Sequence, residues 1–328
     1  RAIGERLRRE GVPVIYSSVT RPLKDEPFVQ ALFSTIELAG MMNRGLEACS
    51  MGLARAARYI RSRLADVMNS PLITVGANDR DEGYPARLSV AESAMDALQS
   101  LAGVVASDSV AASGVAEDAT SAASSAASAD VADAASDASG TSASAALPRL
   151  VAAWRTLRAA VSDRRSRTAA ERGIEVSDAI LDDANAPADE GTLPFGRDAM
   201  YLLLAFDTSA ADAVLASIRA VCGTRAGRAD DQAEAFARAW NLVRDTAEGL
   251  SRISSRSPQY ALSAAWKAAG VDKMWQRLAL GNTAAGRAAN DRLDVAMRLF
   301  QFAEDSTAAS DITGFIDQVR AMDVEADS

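Results

Sequence analysis

From Val29 onward, apolar residues return at the interval of an α-helix, and this periodicity restricts the fold more than any other feature. Val29, Leu32, Phe33 and Ile36 make an i, i+3, i+4, i+7 stripe, the mark of an amphipathic helix that buries one face. Leu53, Ala57, Ile60, Leu64 and Val67 repeat the pattern over residues 53–68, and Ser70-Pro71 ends it, because proline has no amide hydrogen to continue the ladder. Hydrophobic residues make up 48% of the 328, but the share is inflated by alanine and aromatics are only 5%. Such a composition packs helices closely and lacks the Val, Ile, Tyr and Phe of a β-sandwich. The expected class is mainly α.

One αβ step breaks the pattern. Ile3 and Leu7 sit at helical spacing, Gly11 follows as a C-terminal cap, and Val12-Pro13-Val14-Ile15-Tyr16 reads as a short strand. After it, helices are expected at about 88–105, 148–166, 176–184, 197–205, 209–222, 229–253, 258–268, 271–280, 283–304 and 309–322. Ser177 or Asp178, Asp207 to Ser209, Asp230, Ser257 before Pro258, and Asp311 supply N-terminal caps or first-turn acids. Gly223, Gly249, Gly270 and Gly281 supply terminators, with Gly249 alternatively inside a longer helix. Residues 103–147 differ in kind, being almost entirely Ala, Ser, Asp, Gly, Thr and Val. Their six acids, Asp108, Glu117, Asp118, Asp130, Asp133 and Asp137, face no basic residue. Lacking large apolar side chains, this segment cannot recover an ordering entropy of about 1–2 kcal/mol per residue, so a disordered loop is expected. It also carries six of the nine net negative charges, which leaves the remainder able to hold local basic surface.

Several chemistries are absent from the sequence. With no histidine, Ser-His-Asp and Cys-His nucleophilic catalysis and imidazole metal ligation are excluded. None of the three lysines, Lys24, Lys267 and Lys273, lies in a GxxxxGK[ST] loop, so the phosphate cradle of an ATPase is missing. Cys49 and Cys222 stand far apart without a CxxC, as buried thiols in a reducing compartment do. No apolar run reaches the length of about 20 residues that a membrane span needs, and no signal peptide is evident, so a soluble cytoplasmic protein is expected. The chain opens at Arg1 directly into a helical pattern, which reads as a fragment of a larger protein.

The remaining candidates are charged. Asp182-Asp183 and Asp230-Asp231 are adjacent on helices, so their carboxylates diverge by about 100° and read as helix-start charge rather than a converging pair. Arg55, Arg58, Arg61 and Arg63 make a dense basic helix with Arg55 and Arg58 on one face, and Arg164, Arg165 and Arg167 make a second cluster. Each is open to two readings, contact with phosphate or a solvated helix face. Trp154, Trp240, Trp266 and Trp275 sit inside apolar helical patterns and read as core rather than as base-stacking platforms.

The opening stretch, from Arg1-Ala2-Ile3-Gly4-Glu5-Arg6-Leu7-Arg8-Arg9-Glu10-Gly11-Val12-Pro13-Val14 through Tyr16 to Arg21-Pro22-Leu23-Lys24-Asp25-Glu26-Pro27-Phe28-Val29-Gln30-Ala31-Leu32, resembles superfamily 1 DNA helicases of the UvrD/Rep/RecB kind. In these a helix ending "L...G(I/V)P", a strand, and a helix beginning "E(I/V)..AL" follow the fourth helicase motif. The far end is similar to the inserted domain of AdnAB-type helicase-nucleases: Ser263-Ala264-Ala265-Trp266-Lys267-Ala268-Ala269-Gly270-Val271, then Trp275 and Ala279-Leu280. Asn290-Asp291-Arg292-Leu293-Asp294-Val295, Phe300 and Phe315-Ile316 continue that likeness in the same order, and Ser70-Pro71-Leu72 adds to it.

The resemblance implies a small α/β piece of the RecA-like motor domain 2A at residues 1–40, a helical 2B-type insertion at 41–310, and a return towards 2A at 311–328. It implies ATP-driven 3′ to 5′ translocation by the parent protein in double-strand-break processing, with ATP and Mg²⁺ bound outside this chain, which itself holds no cofactor and is catalytically inactive. The implied partners are a junction of single-stranded and duplex DNA and a paired helicase-nuclease subunit, without a membrane. Ser17, Ser18, Thr20 and Arg21, at the strand-to-helix turn, are the implied contacts to the DNA backbone, joined by Arg55 and Arg58 as basic candidates. Where the family often has aromatics after this arginine, Pro22 and Leu23 stand, so base stacking is not carried over. The alternative expectation is a non-enzymatic helical scaffold that binds proteins.

Overall fold

The computed structural model describes residues 22–46, 48–49, 51–78, 81, 83–113, 137–173, 193–223, 229–252, 257–306 and 311–322. Among them are eleven α-helices and one two-residue antiparallel ribbon, so the fold is mainly α. A 3-10 turn, Leu23–Asp25, leads into α1, Pro27–Arg44, where Pro27 opens the first turn at no cost in hydrogen bonds. Then come α2, Leu53–Met68, the strands β1, Thr74–Val75, and β2, Tyr84–Pro85, and α3, Leu88–Ser113. They are followed by α4, Asp137–Arg172, α5, Arg197–Phe206, α6, Thr208–Gly223, and α7, Ala229–Ser251. The series closes with α8, Pro258–Ala269, α9, Asp272–Ala279, α10, Ala284–Asp305, and α11, Ile312–Ala321.

Helix α7 is the axis of the body and packs against α1, α2, α3, α6 and α8. Its alanines make this possible. Ala233, Ala235, Ala237, Ala239 and Ala247 are buried around its circumference with Phe236, Trp240 and Val243 between them, so neighbouring helices approach closely on several sides. Gly249 lies inside this helix, against α8; a Cβ there would come 3.2 Å from the Ala264 Cβ. Asn43 at the end of α1 donates to the Ala247 carbonyl at 2.8 Å, and Arg87 N–H donates to Gln232 Oε1 at 2.6 Å. The buried apolar residues form one cluster that runs from Leu23 to Val319.

Two groups flank the axis. On one side α3, α4, α5 and α6 pack together, and α4 lays Leu147, Leu150, Trp154, Leu157 and Val161 towards the core. On the other, Trp275 of α9 is fully buried, edge-on to Phe28 of α1 at 5.5 Å and to Trp266 of α8 at 5.6 Å. Trp266 meets Phe300 of α10 at 6.3 Å. Trp154, Trp240 and Trp275 are therefore core side chains, as their pattern predicts, and Trp266 is half-buried.

Two expectations need correction. The disordered loop expected over 103–147 is helical at both ends, since α3 continues to Ser113 and α4 begins at Asp137. Alanine explains this: extending an anchored helix adds one bond per residue fixed and avoids the costly nucleus. Pro148, expected to start a helix, lies within α4. It removes a single amide donor, and the apolar stripe beyond it continues to hold the helix. The strand at Val12 to Tyr16, the helix at 176–184 and the pair Asp182-Asp183 lie outside the described residues. Residue 40 falls within α1, whose two halves share one core with α2, α7 and α8.

The caps act as expected at three places. Asp207 accepts from the Ser209 and Ala210 amides, Asp311 accepts from Gly314 N–H, and Gly270 ends α8 in the left-handed conformation. Asp230 and Asp231 lie in the first turn of α7, where the exposed helix terminus favours negative charge. Cys49 and Cys222 are buried and take part in no disulfide.

Candidate nucleic-acid interface

Helix α2 carries the densest run of basic residues, and the structure divides it by direction. Leu53, Ala56, Ala57, Ile60, Leu64, Val67 and Met68 face the core. Arg61 and Arg63 lie on the flanks of that stripe and turn inward to carboxylates. Arg55 and Arg58 lie opposite it, exposed and one turn apart.

The flank arginines belong to two clasps. Glu92 of α3 is buried and receives Arg61 at 2.5 and 3.1 Å, Arg197 of α5 at 3.3 Å and the Tyr201 hydroxyl of α5 at 3.1 Å. Arg197 also forks onto Asp96 at 3.1 and 2.5 Å. Burial pushes the Glu92 carboxyl up, but the Arg61 hydrogen bond and the charges of Arg197 and Arg61 overcome it and leave the group below its ordinary value. Burial, with the charge of Glu92, pushes the Tyr201 phenol upward, so it stays a neutral donor. In the second clasp Glu37 of α1 forms an ion pair with Arg63 at 2.9 Å and accepts the fork of Arg320 from α11 at 2.7 and 3.0 Å. Ser34 donates to Asp66 at 2.8 Å beside it.

Arg61 and Arg63 are thus paired with structural carboxylates of α3 and α1. In the second basic cluster, Arg164 of α4 donates to the Leu46 carbonyl after α1 and acts as a tether. Of the expected site residues, Arg55 and Arg58 share one solvent-facing ridge. Ser17, Ser18, Thr20 and Arg21 lie outside the described residues. Sequence reading missed the Glu92 clasp because its members stand 31 and 109 residues apart. The one signal is an acid at an apolar position of α3, between Ala91 and Ala94.

A groove between α8 and α10, with a volume of about 340 Å³, is lined by Gln259, Tyr260, Ser263, Phe300 and Glu304. Tyr260 is 54% exposed on its rim, and Met297, one turn before Phe300, is 65% exposed. Among the described residues no three His, Cys, Asp or Glu side chains converge as metal ligands, and no helix is long and apolar enough to cross a membrane. Comparison with protein-family models, with curated proteins and with solved structures finds no match to this chain.

Proposed function

We propose that this chain is the 2A/2B-type portion of an ATP-dependent 3′ to 5′ DNA helicase, a nucleic-acid-contacting helical insertion whose ATP and Mg²⁺ are held elsewhere in the parent protein. The observation that carries the reading is that the two stretches read as 2A, residues 1–40 and 311–328, meet where they are described. The 3-10 turn Leu23–Asp25 packs on α11, and Glu37 is forked to Arg320 across 283 positions of sequence. Flanking segments that meet suit an insertion between them, because the host's own elements need not separate to accommodate it. The order of sequence motifs and the exposed ridge of Arg55 and Arg58 support the same reading.

The test is binding of the 328-residue chain to a 3′-tailed duplex, followed by fluorescence anisotropy from about 50 to about 200 mM salt. The expected result is an affinity that falls linearly with salt on logarithmic axes, reduced by Arg55→Gln with Arg58→Gln, and no ATP hydrolysis by the chain alone. A chain with no DNA affinity at low salt sinks the reading. One observation favours a second reading, a protein-binding scaffold: the α8/α10 groove carries the exposed ring of Tyr260 on its rim, and an aromatic side chain on a groove suits a partner's apolar surface. Capture of a purified partner subunit that Tyr260→Ala abolishes, without DNA affinity, would select it.

A further inference from the structure

We infer that the turn joining α9 to α10 is a second contact for nucleic-acid backbone, centred on Lys273, Arg277 and Arg287, with Leu280 presented to the end of the duplex; the inference rests on the DNA-binding reading above. The protein has a net charge of −9, yet between residues 264 and 290 four cations stand against a single acid, Asp272. The structure gathers three of them at one corner. Lys273 and Arg277 follow each other at one helical turn along α9, Arg287 lies in the first turn of α10, and all three are exposed. Every residue from Leu280 to Ala284 between them is exposed as well. The acids nearest in sequence, Asp272 and Asp291, are both partly buried.

The corner is built to hold its shape. Thr283 caps α10 by accepting from Gly286 N–H at 3.0 Å, and Gly281 N–H donates to the Leu278 carbonyl at 2.9 Å. Gly286 is required for this closeness, because a Cβ there would meet the Gly281 carbonyl oxygen at 2.1 Å and that of Leu278 at 2.6 Å. Beneath the corner, Trp275 anchors α9 in the core and Arg292 lies over its ring at 5.6 Å. A turn of defined backbone that carries cations on its surface suits a polyanion, since the backbone has no ordering left to lose on binding. Leu280 is 89% exposed, an aliphatic side chain with no part in the core. At a junction it faces the open end of the base stack, where an apolar side chain is least costly.

The experiment repeats the salt titration of the tailed duplex with Lys273→Gln, Arg277→Gln and Arg287→Gln combined, and separately with Leu280→Asn. These side chains are exposed, so circular dichroism should match the parent chain. The triple variant is expected to reduce the slope of log affinity against log salt by about 3. Leu280→Asn is expected to weaken the tailed duplex while leaving a single-stranded oligonucleotide unchanged. If the parent binds and the triple variant keeps its slope, this inference fails and the reading above stands. If the parent shows no salt-dependent DNA affinity, both fail, and binding to phosphatidylserine vesicles through the same residues would assign the corner to a membrane surface instead.

Discussion

Glu92 shows how one residue's surroundings set its chemistry. A carboxylate buried on α3 is tolerable because Arg61, Arg197 and Tyr201 together satisfy its two oxygens. Arg61 is about half exposed at 49% and Arg197 is 33% exposed, so solvent screens part of the attraction. Glu92→Gln keeps the shape and an acceptor but removes the charge, and is expected to cost about 2 kcal/mol at neutral pH in urea unfolding. The pH dependence follows from the sign of the shift. A carboxylate held below its ordinary value of 4.5 contributes stability that is complete above that value and is lost as pH falls through the folded one. The gap between parent and Glu92→Gln should therefore narrow as pH falls below 4.5 and close below the folded value. A gap that never narrows in acid would show that the Glu92 charge does not stabilise the fold. Tyr201 has the opposite window: its contribution is complete below its ordinary value of 10.0 and is lost only in stronger base.

Among the elements, α11 depends most on partners. A helix of ten residues is marginal in water, so its formation rests on docking. Phe315 supplies the apolar part, edge-on to Phe33 at 6.2 Å and tilted against Phe302 at 5.6 Å. Arg320 supplies the polar part through Glu37, which it shares with Arg63, so one carboxylate joins α1, α2 and α11. Arg320→Ala is expected to cost about 1 kcal/mol and to show it locally. Amide exchange should speed up in residues 313–321 while α1 and α7 keep the parent's rates. Equal acceleration everywhere would mean that α11 opens only with the whole protein. The expectation of a helix near 309–322 was readable from spacing; its attachment to α1 was not, because Glu37 and Arg320 are far apart in the chain.

At the scale of the molecule, a single apolar cluster reaches from Leu23 to Val319 through α7, so neither flanking group has a core of its own. Unfolding followed by tryptophan fluorescence, which reports Trp154 on one flank and Trp266 and Trp275 on the other, should share one midpoint with far-ultraviolet circular dichroism. Two separated midpoints would show that the flanks fold as independent units. The same connectedness holds the 3-10 turn at Leu23 and α11 together through both core and clasp.

The sequence by itself determined the helices, because their signal is local. Apolar residues at 3.6-residue spacing, prolines at first turns and caps such as Asp207, Asp311 and Gly270 act within a few residues of where they are read. The same locality let alanine extend α3 and α4 into a stretch whose composition predicts disorder. Only the tertiary structure decided which arginines of α2 turn inward to carboxylates and which face outward. Arg55, Arg58, Arg61 and Arg63 are alike in sequence, but Glu92 and Glu37 come from other helices and claim the last two. It likewise gathered Lys273, Arg277 and Arg287 at one corner, because the direction of a helix face is set by what packs against the other side.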